Sequence, residues 1–313
     1  MMKTAVLMAT YNGEKFLENQ LDSVRNQELK PDFVVFRDDC STDGTIAFLK
    51  QYIARYNLEN WLIRENETNL GWRLNFRQLL IDSQELDVDL VFFSDQDDTW
   101  KLDKNRRQVE VLKEHPEIEV LSGDIEIKKI SEQATIPTYF EFSDHYAQIS
   151  KYPAKTTYNS FRSGWTLAIR RSLVDAALKY WKPEYNITHD VLFATLSSLT
   201  ETGYNLNQTV GIHLRHAGNA SGKALLTIHD PKALHVSELY KFVGFYDIIY
   251  KILKDRESDY APEIKNYYEF YVKRHHLASE NKIIPVFAQI FTEWKYYAGM
   301  SGRIRDVIFA FKK

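Results

Sequence analysis

The 313-residue chain carries 40 Lys and Arg against 43 Asp and Glu, a net charge of −3 at pH 7, and it has a single cysteine, Cys40. That balance offers no basic face for general nucleic-acid binding. The lone thiol excludes an internal disulfide and fits a reducing compartment. The apolar run Ala5 to Ala9 is too short for a signal-peptide core. No stretch reaches the roughly 18–20 apolar residues of a membrane span, so the sequence predicts a cytoplasmic protein.

Thr4 to Ala9 reads as a buried strand, closed by the turn signal Asn12-Gly13. A helix follows with Phe16, Leu17, Leu21 and Val24 on one face, and Pro31 ends that unit. Phe33 to Phe36 is a second strand, ending at Arg37-Asp38-Asp39. The polar turn Ser41 to Thr45 can cap a helix carrying Ile46, Leu49 and Ile53. Trp61 to Ile63 is a third strand, Asn66 to Gly71 a loop, and Leu74, Leu79 and Leu80 mark another helix. Leu90 to Phe93 is a fourth strand, Lys101 to Lys113 a helix, and Ile118 to Leu121 a further strand. This alternation predicts an α/β, Rossmann-like, mostly parallel sheet flanked by helices.

After Ile130 the alternation weakens. Ser131 to Ser160 is aromatic and irregular and reads as a substrate-facing excursion. Trp165 to Ile169 resumes as a strand, Ser172 to Trp181 and Asp190 to Leu199 as helices, and Val210 to Leu214 as a strand before a loop holding Gly218 and Gly222. From His235 the pattern is helical. The expected division is residues 1–225 as one α/β domain and 226–313 as a helical C-terminal extension.

The polar clusters of the first half, Thr10-Tyr11-Asn12, Asp38-Asp39 and Asp95 to Asp98, all fall at the carboxyl ends of strands. In an open parallel sheet those ends meet at one crevice, where ligands bind. Ser94-Asp95-Gln96-Asp97-Asp98 crowds three carboxylates, which raise one another's pKa. A divalent cation relieves that cost, and Mg²⁺ is usually held by one or two carboxylates plus substrate phosphates. An isolated Asp-x-Asp reads first as a solvated acidic turn or a helix N-cap. Three clusters on one edge point instead to nucleotide and metal held together. Asp43-Gly44-Thr45 also suggests an aspartyl phosphatase, but its nucleophile position is Ser41, and that reading fails.

Ala9-Thr10-Tyr11-Asn12-Gly13-Glu14, Asp38 to Thr45 and Asp95-Gln96-Asp97-Asp98 resemble, in order and spacing, the successive motifs of family 2 glycosyltransferases with the GT-A fold. Asn69-x-Gly71 with Asn75-Phe76, Gly164 to Arg171, His189-Asp190 and Leu214-Arg215-His216-x-Gly218-Asn219 resemble the bacterial rhamnosyltransferase branch, including enzymes of streptococcal cell-wall rhamnose polysaccharides. The resemblance covers residues 4 to 222 and is loose beyond. It implies an inverting, metal-dependent glycosyltransferase. Thr10, Tyr11, Glu14, Asp38 and Asp39 would line the nucleotide pocket, Asp39 or its neighbour pairing with a pyrimidine. Asn75 and Asp95 would face the donor, and Arg215 its diphosphate. Asp97, with Asp95 and His216, would hold Mn²⁺ or Mg²⁺, with Asp98 able to substitute. Imidazole suits Mn²⁺ better, although His216 also reads as a structural histidine. Asp190 would be the general base, and by its position alone it reads equally as a helix cap. His189 and Trp165 would lie on the acceptor side, with a packing role for His189 equally open. Arg73 and Lys101 also stand near motif positions.

The donor implied is dTDP-β-L-rhamnose, or else a UDP-sugar with a glucosyl or galactosyl group. The acceptor implied is a lipid-linked cell-wall glycan. A non-catalytic nucleotide- or glycan-binding module of the same fold is the reading from a different class. In the last quarter Tyr240, Phe242, Phe245, Tyr246, Tyr250, Tyr267, Tyr268, Phe270 and Tyr271 recur at helical spacing, and Arg303 to Lys313 is a basic amphipathic helix. These helices read as packing against the rest of the chain, as a homodimer contact, or as peripheral contact with the inner membrane leaflet.

Overall fold

The computed structural model describes residues 2–142, 147–158, 160–216, 219, 226–280 and 282–312. The chain forms two compact units, one of Met1–Leu178 with Thr188–Ala220 and one of Lys179–Ile187 with Ser221–Lys313.

In the first unit, β1 (Thr4–Thr10), α1 (Glu14–Arg25), β2 (Phe33–Asp38), α2 (Thr45–Tyr56), β3 (Trp61–Glu65), α3 (Trp72–Ser83) and β4 (Leu90–Ser94) alternate along the chain. All five residues of β4 are buried, which is why that strand reads as an unbroken apolar run rather than an alternating one. α1 turns Leu17, Leu21 and Val24 inward, and α2 stops at Asn57 in the left-handed region, φ 51°. Then come β5 (Thr99–Trp100), α4 (Lys104–Glu114), β6 (Val120–Lys129), β7 (Ile149–Lys151), β8 (Ala168–Arg170), α5 (Arg171–Leu178), α6 (His189–Leu199) and β9 (Gly203–Arg215).

The sheet order is β3-β2-β1-β4-β8-β6-β9-β5, with β7 also on β9. The first four strands are parallel. Beyond β4 the sheet is mixed: β8 runs antiparallel to β4 and β6, and β9 runs parallel to β6 but antiparallel to β5 and β7. The parallel half puts the ends of β1, β2 and β4 on one edge.

Several boundaries differ from the sequence expectation. Residues Gly164–Thr166 form a single 3-10 turn, and the strand begins only at Ala168. β6 and β9 extend far past their apolar segments, because they pair with each other through polar residues such as Asp124, Glu126 and Asn205. α5 ends before Trp181. The loop glycines Gly218 and Gly222 lie outside the described residues.

The second unit holds α7 (Lys232–Asp255), α8 (Ala261–Ser279), α9 (Ile283–Thr292) and α10 (Met300–Ala310). The aromatic spacing here is a helix seam: Tyr246 stacks on Tyr267 at 5.2 Å and on Tyr271 at 5.1 Å, and Phe242 on Tyr271 at 4.9 Å. Tyr185 packs over Gly244, and its hydroxyl donates to Asp247 at 3.0 Å. α10 is fixed to α8 by the buried pair Arg274–Asp306 at 2.7 Å, with the Tyr297 hydroxyl donating to the same carboxylate at 2.8 Å. Among the described residues no helix is long and apolar enough to cross a membrane.

Candidate active site

The turns after β1 and β2 are knitted together before any ligand is considered. Asn12 sits at φ 46° and donates its N–H to Ser41 Oγ at 2.8 Å, while its Oδ1 accepts from the Thr42 N–H at 2.8 Å. Gly13 donates to Thr45 Oγ1 at 2.9 Å, and Glu14 Oε2 accepts from the Gly44 N–H at 3.1 Å. The buried Asp38 carboxylate accepts from the Thr10 hydroxyl at 3.0 Å and from the Ser41 N–H at 2.7 Å. Thr10 and Asp38 are therefore internal braces, and Glu14 holds the turn that opens α2. Their hydrogen bonds set the shape of the turn.

Asp39 is a clamp. Its Oδ1 accepts from Asn66 Nδ2 at 2.9 Å and the Leu70 N–H at 2.7 Å, and its Oδ2 accepts from the Gly71 N–H at 2.8 Å. One carboxylate so folds the 66–71 loop over the end of β2. Gly71 at φ 77° allows the chain to turn there into α3. Asn75 is only 1% exposed, with Nδ2 donating to the Arg37 carbonyl at 2.8 Å and Oδ1 accepting from Asn66 at 2.9 Å. Its amide is hydrogen-bonded inside the protein on both sides.

Gln96, which the sequence did not single out, ties the acidic cluster to β1. Its amide accepts from the Tyr11 N–H at 2.9 Å and donates to the Tyr11 carbonyl at 3.0 Å, in the manner of a strand neighbour. The Tyr11 ring stays 49% exposed at the rim. A Cβ on Gly13 would strike the Gln96 amide at 2.2 Å, so the glycine is what lets the bridge close.

The flanking carboxylates look inward. Asp97 Oδ2 meets His216 Nε2 at 2.8 Å across 119 residues of sequence, and Asn219 Nδ2 donates to the same oxygen at 3.0 Å. The His216 ring stacks on Phe16 at 4.4 Å, which fixes its plane. Asp98 is buried: Oδ1 accepts from the Leu214 N–H at 3.2 Å, and Oδ2 has no partner among the described residues. Burial, then Asp95 and Asp97, push its pKa well up. Arg215 is buried too, donating to the Thr135 carbonyl at 2.9 Å, and its charge opposes that rise. The guanidinium is a buried counter-charge beside the acidic cluster. Lys101 lies at the surface, 3.9 Å from Glu126.

α6 begins at His189 with Thr188 in the cap position, so Asp190 stands in the first turn and is not the cap. Its Oδ1 accepts from the Val191 N–H at 2.8 Å. Burial pushes the Asp190 pKa up to about 6, against the pull of backbone N–H groups and of Arg73. Asp95 is pushed up to about 8 by burial, then by Asp97, then by Asp190. The carboxylates from the end of β4 and the start of α6 thus feel one another's charge. His189 is caged: its ring lies 3.9 Å from Phe76 and 4.3 Å from Phe93, neither ring nitrogen has a partner among the described residues, and burial lowers its pKa to about 3. It is a neutral packing residue. Trp165 is buried against Gly211, where a Cβ would come within 2.7 Å of its ring.

For a divalent cation, the site offers a carboxylate and an imidazole in contact, a donor set that suits Mn²⁺. No group of three or more His, Cys, Asp and Glu gathers among the described residues. The donors fit a cation whose remaining positions are filled by phosphate oxygens and water.

A half-sheet of parallel strands with acidic side chains gathered at its carboxyl edge is the architecture of the GT-A glycosyltransferases. The sequence profile described as glycosyl transferase family 2 matches residues 5–178, and the chain belongs to that family. It is 36% identical over 106 residues to dTDP-rhamnosyl transferase RfbG of Shigella flexneri, covering 34% of this chain and 36% of that protein. It is 37% identical over 100 residues to poly(ribitol-phosphate) beta-N-acetylglucosaminyltransferase TarS of Staphylococcus aureus, covering 31% of this chain and 17% of that protein. The matches thus span about a third or less of those relatives' own length. Among solved structures, S. aureus TarS 1-349 in complex with UDP-GlcNAc aligns with 98% of this chain and 79% of its own at TM-score 0.57 and 18% identity. The mannosyltransferase PcManGT of Pyrobaculum calidifontis, in complex with GDP-Man and Mn²⁺, aligns with 99% of this chain and 86% of its own at TM-score 0.53 and 15% identity. At such identities the likeness is one of fold.

Proposed function

We propose that this chain is an inverting glycosyltransferase that moves a hexosyl group from a nucleoside diphosphate to an acceptor hydroxyl, with Asp190 as general base. The observation that carries the reading is the meeting of Asp97 with His216 at 2.8 Å beside Asp95, whose pKa in turn responds to Asp190. Asp190 takes the acceptor proton as the acceptor oxygen bonds to the anomeric carbon, and the bond to the diphosphate breaks on the opposite face. The products are the glycosylated acceptor and the nucleoside diphosphate. A pKa near 6 leaves Asp190 ionised at neutral pH yet basic enough to accept a proton.

Asp97 and His216 would hold the divalent cation, with Asp95 at the sugar side of the donor. That cation would neutralise charge on the departing diphosphate. Tyr11 at the rim, and the loop that Asp39 folds, would bound the nucleotide. The donor we propose is dTDP-β-L-rhamnose, giving an α-L-rhamnosyl product, and the acceptor a lipid-linked cell-wall glycan. The similarity to RfbG supports that donor. A UDP-sugar is the second reading, supported by the fold likeness to TarS in complex with UDP-GlcNAc.

Thermal melting with dTDP, UDP or GDP, each with and without Mn²⁺ or Mg²⁺, tests the reading. A ligand at 100 times its Kd raises stability by about 2.7 kcal/mol. A metal-dependent rise with dTDP supports the rhamnosyl donor, and a rise with UDP alone removes it. No rise with any nucleotide removes the transferase reading and leaves a non-catalytic module.

A further inference from the structure

The helices α9 and α10 present an apolar face that nothing in the second unit covers. Ile284 is 81% exposed and Phe291 78%, and Phe287, Trp294, Met300 and Ile304 are also exposed. Phe287, Phe291, Trp294, Met300 and Ile304 line one open groove, shared with Arg303. α9 itself, Ile283–Thr292, contains no charged residue. Large aliphatic and aromatic side chains contiguous on a surface mark an interaction site rather than chance exposure.

Charge identifies the partner. The chain as a whole is negative, yet residues 281–313 hold six Lys and Arg and only two carboxylates, Glu293 and Asp306. Both carboxylates are spent. Glu293 is bridged to Lys273 at 2.5 Å, and Asp306 is buried against Arg274. Of the cations, Lys295 is exposed and Arg305 half-buried, while Arg303 is buried beneath the groove. The Arg303 guanidinium lies 3.4 Å over the Trp294 ring, and Lys295 and Arg305 directly follow the exposed Trp294 and Ile304. A second copy of this chain would bring like charge against like charge, which costs a self-contact several kcal/mol. An anionic surface has the opposite requirement. Exposed Ile, Phe and Trp in a segment rich in Lys and Arg is the composition of a segment that lies in the headgroup layer of an acidic bilayer.

We propose that the α9–α10 face docks the protein on an anionic lipid bilayer, with Ile284, Phe287, Phe291 and Trp294 inserted at the acyl boundary and Lys295 and Arg305 against lipid phosphates. This inference does not depend on the identity of the donor sugar.

The test is co-sedimentation of the full chain with vesicles of phosphatidylglycerol and phosphatidylethanolamine, and with vesicles of phosphatidylcholine alone. The wild-type chain is expected to bind the anionic vesicles at least tenfold more tightly than the neutral ones, and to be released by 0.5 M salt. The double variant Ile284→Ser, Phe291→Ser is expected to lose at least tenfold in anionic-vesicle binding. Both side chains are already in solvent, so its melting temperature and circular dichroism should match the wild type. Lys295→Glu, a second probe, should weaken binding to anionic vesicles and leave the weak binding to neutral ones unchanged. Absence of binding to anionic vesicles, equal binding to neutral ones, or full binding by the double variant would each overturn the proposal. So would a dimer in light scattering that the double variant dissolves without any vesicle binding, which would assign the face to a second copy.

Discussion

Replacing Asp190 by Asn separates the chemistry from the fold. The amide oxygen can still accept the Val191 N–H that Asp190 accepts at 2.8 Å, so the start of α6 should survive. The proton acceptor is lost. General-base catalysis contributes about 10²–10⁴-fold, so kcat should fall by that factor, or about 2.7–5.4 kcal/mol in the barrier. Donor affinity should not fall. Stability should move the other way. Burial raises the Asp190 pKa from the ordinary 3.8 to about 6. An acid whose folded pKa lies above its unfolded value keeps full stability only at pH below about 3.8, and loses it as pH climbs through 6. At neutral pH that difference costs up to about 3 kcal/mol, which an uncharged Asn removes. The variant should therefore be no less stable than the wild type at pH 5 and more stable at pH 8. The same pKa predicts an acidic limb near pH 6 in the wild-type kcat profile, absent from the residual rate of the variant. Release of nucleoside diphosphate measures turnover, and urea melts at the two pH values measure stability. Near-normal turnover with a stable fold would refute the assignment of the base.

Other substitutions probe the rest of the site. Asp97→Asn and His216→Ala should each raise the Mn²⁺ concentration needed for half-maximal turnover by about tenfold or more, because each removes one of two protein donors. A chelator should abolish turnover and added Mn²⁺ restore it. Turnover indifferent to the chelator would count against the metal. Asp39→Asn places an amide N–H against the Leu70 or Gly71 N–H and should cost about 1.5–3 kcal/mol, read by urea melting, with weaker nucleotide binding as the 66–71 loop loosens. Gly164→Ala puts a Cβ 2.7 Å from His189 Nε2 and 3.1 Å from Asp190 Cβ. His189 is wedged against Phe76 and Phe93 and has nowhere to go, so the variant should lose about 1–3 kcal/mol of stability. It should also lower kcat at unchanged donor affinity, since the shift falls on Asp190.

The parallel half of the sheet was legible in one dimension because its causes are local. Strands buried on both faces read as apolar runs, the helices between them carry a 3.6-residue stripe, and Asn12-Gly13 and Ser41 to Thr45 are turn chemistry. The family resemblance of the three strand-end motifs was equally local, and the match of the family profile to residues 5–178 agrees with it. What the tertiary structure decided was how each polar side chain spends its hydrogen bonds. Asp38, Asp39 and Asp97 look alike in the sequence, yet Asp38 is held by Thr10 and Ser41, Asp39 by a loop 27 to 32 residues away, and Asp97 by a histidine 119 residues on. Those partners arrive only when the sheet closes, and no spacing rule reports them. The first part of β9 was missed although Tyr204-Asn205-Leu206-Asn207 alternates: the run is short and Asn is a poor strand former, and pairing of Tyr204 to Leu206 with β6 and β7 is what makes it a strand. Trp165, Asn75 and Arg215 have the residue types of a ligand site, and their burial came only with the fold. Which groups remain free for a ligand depends on which are already satisfied, and satisfaction is a long-range property that the fold confers.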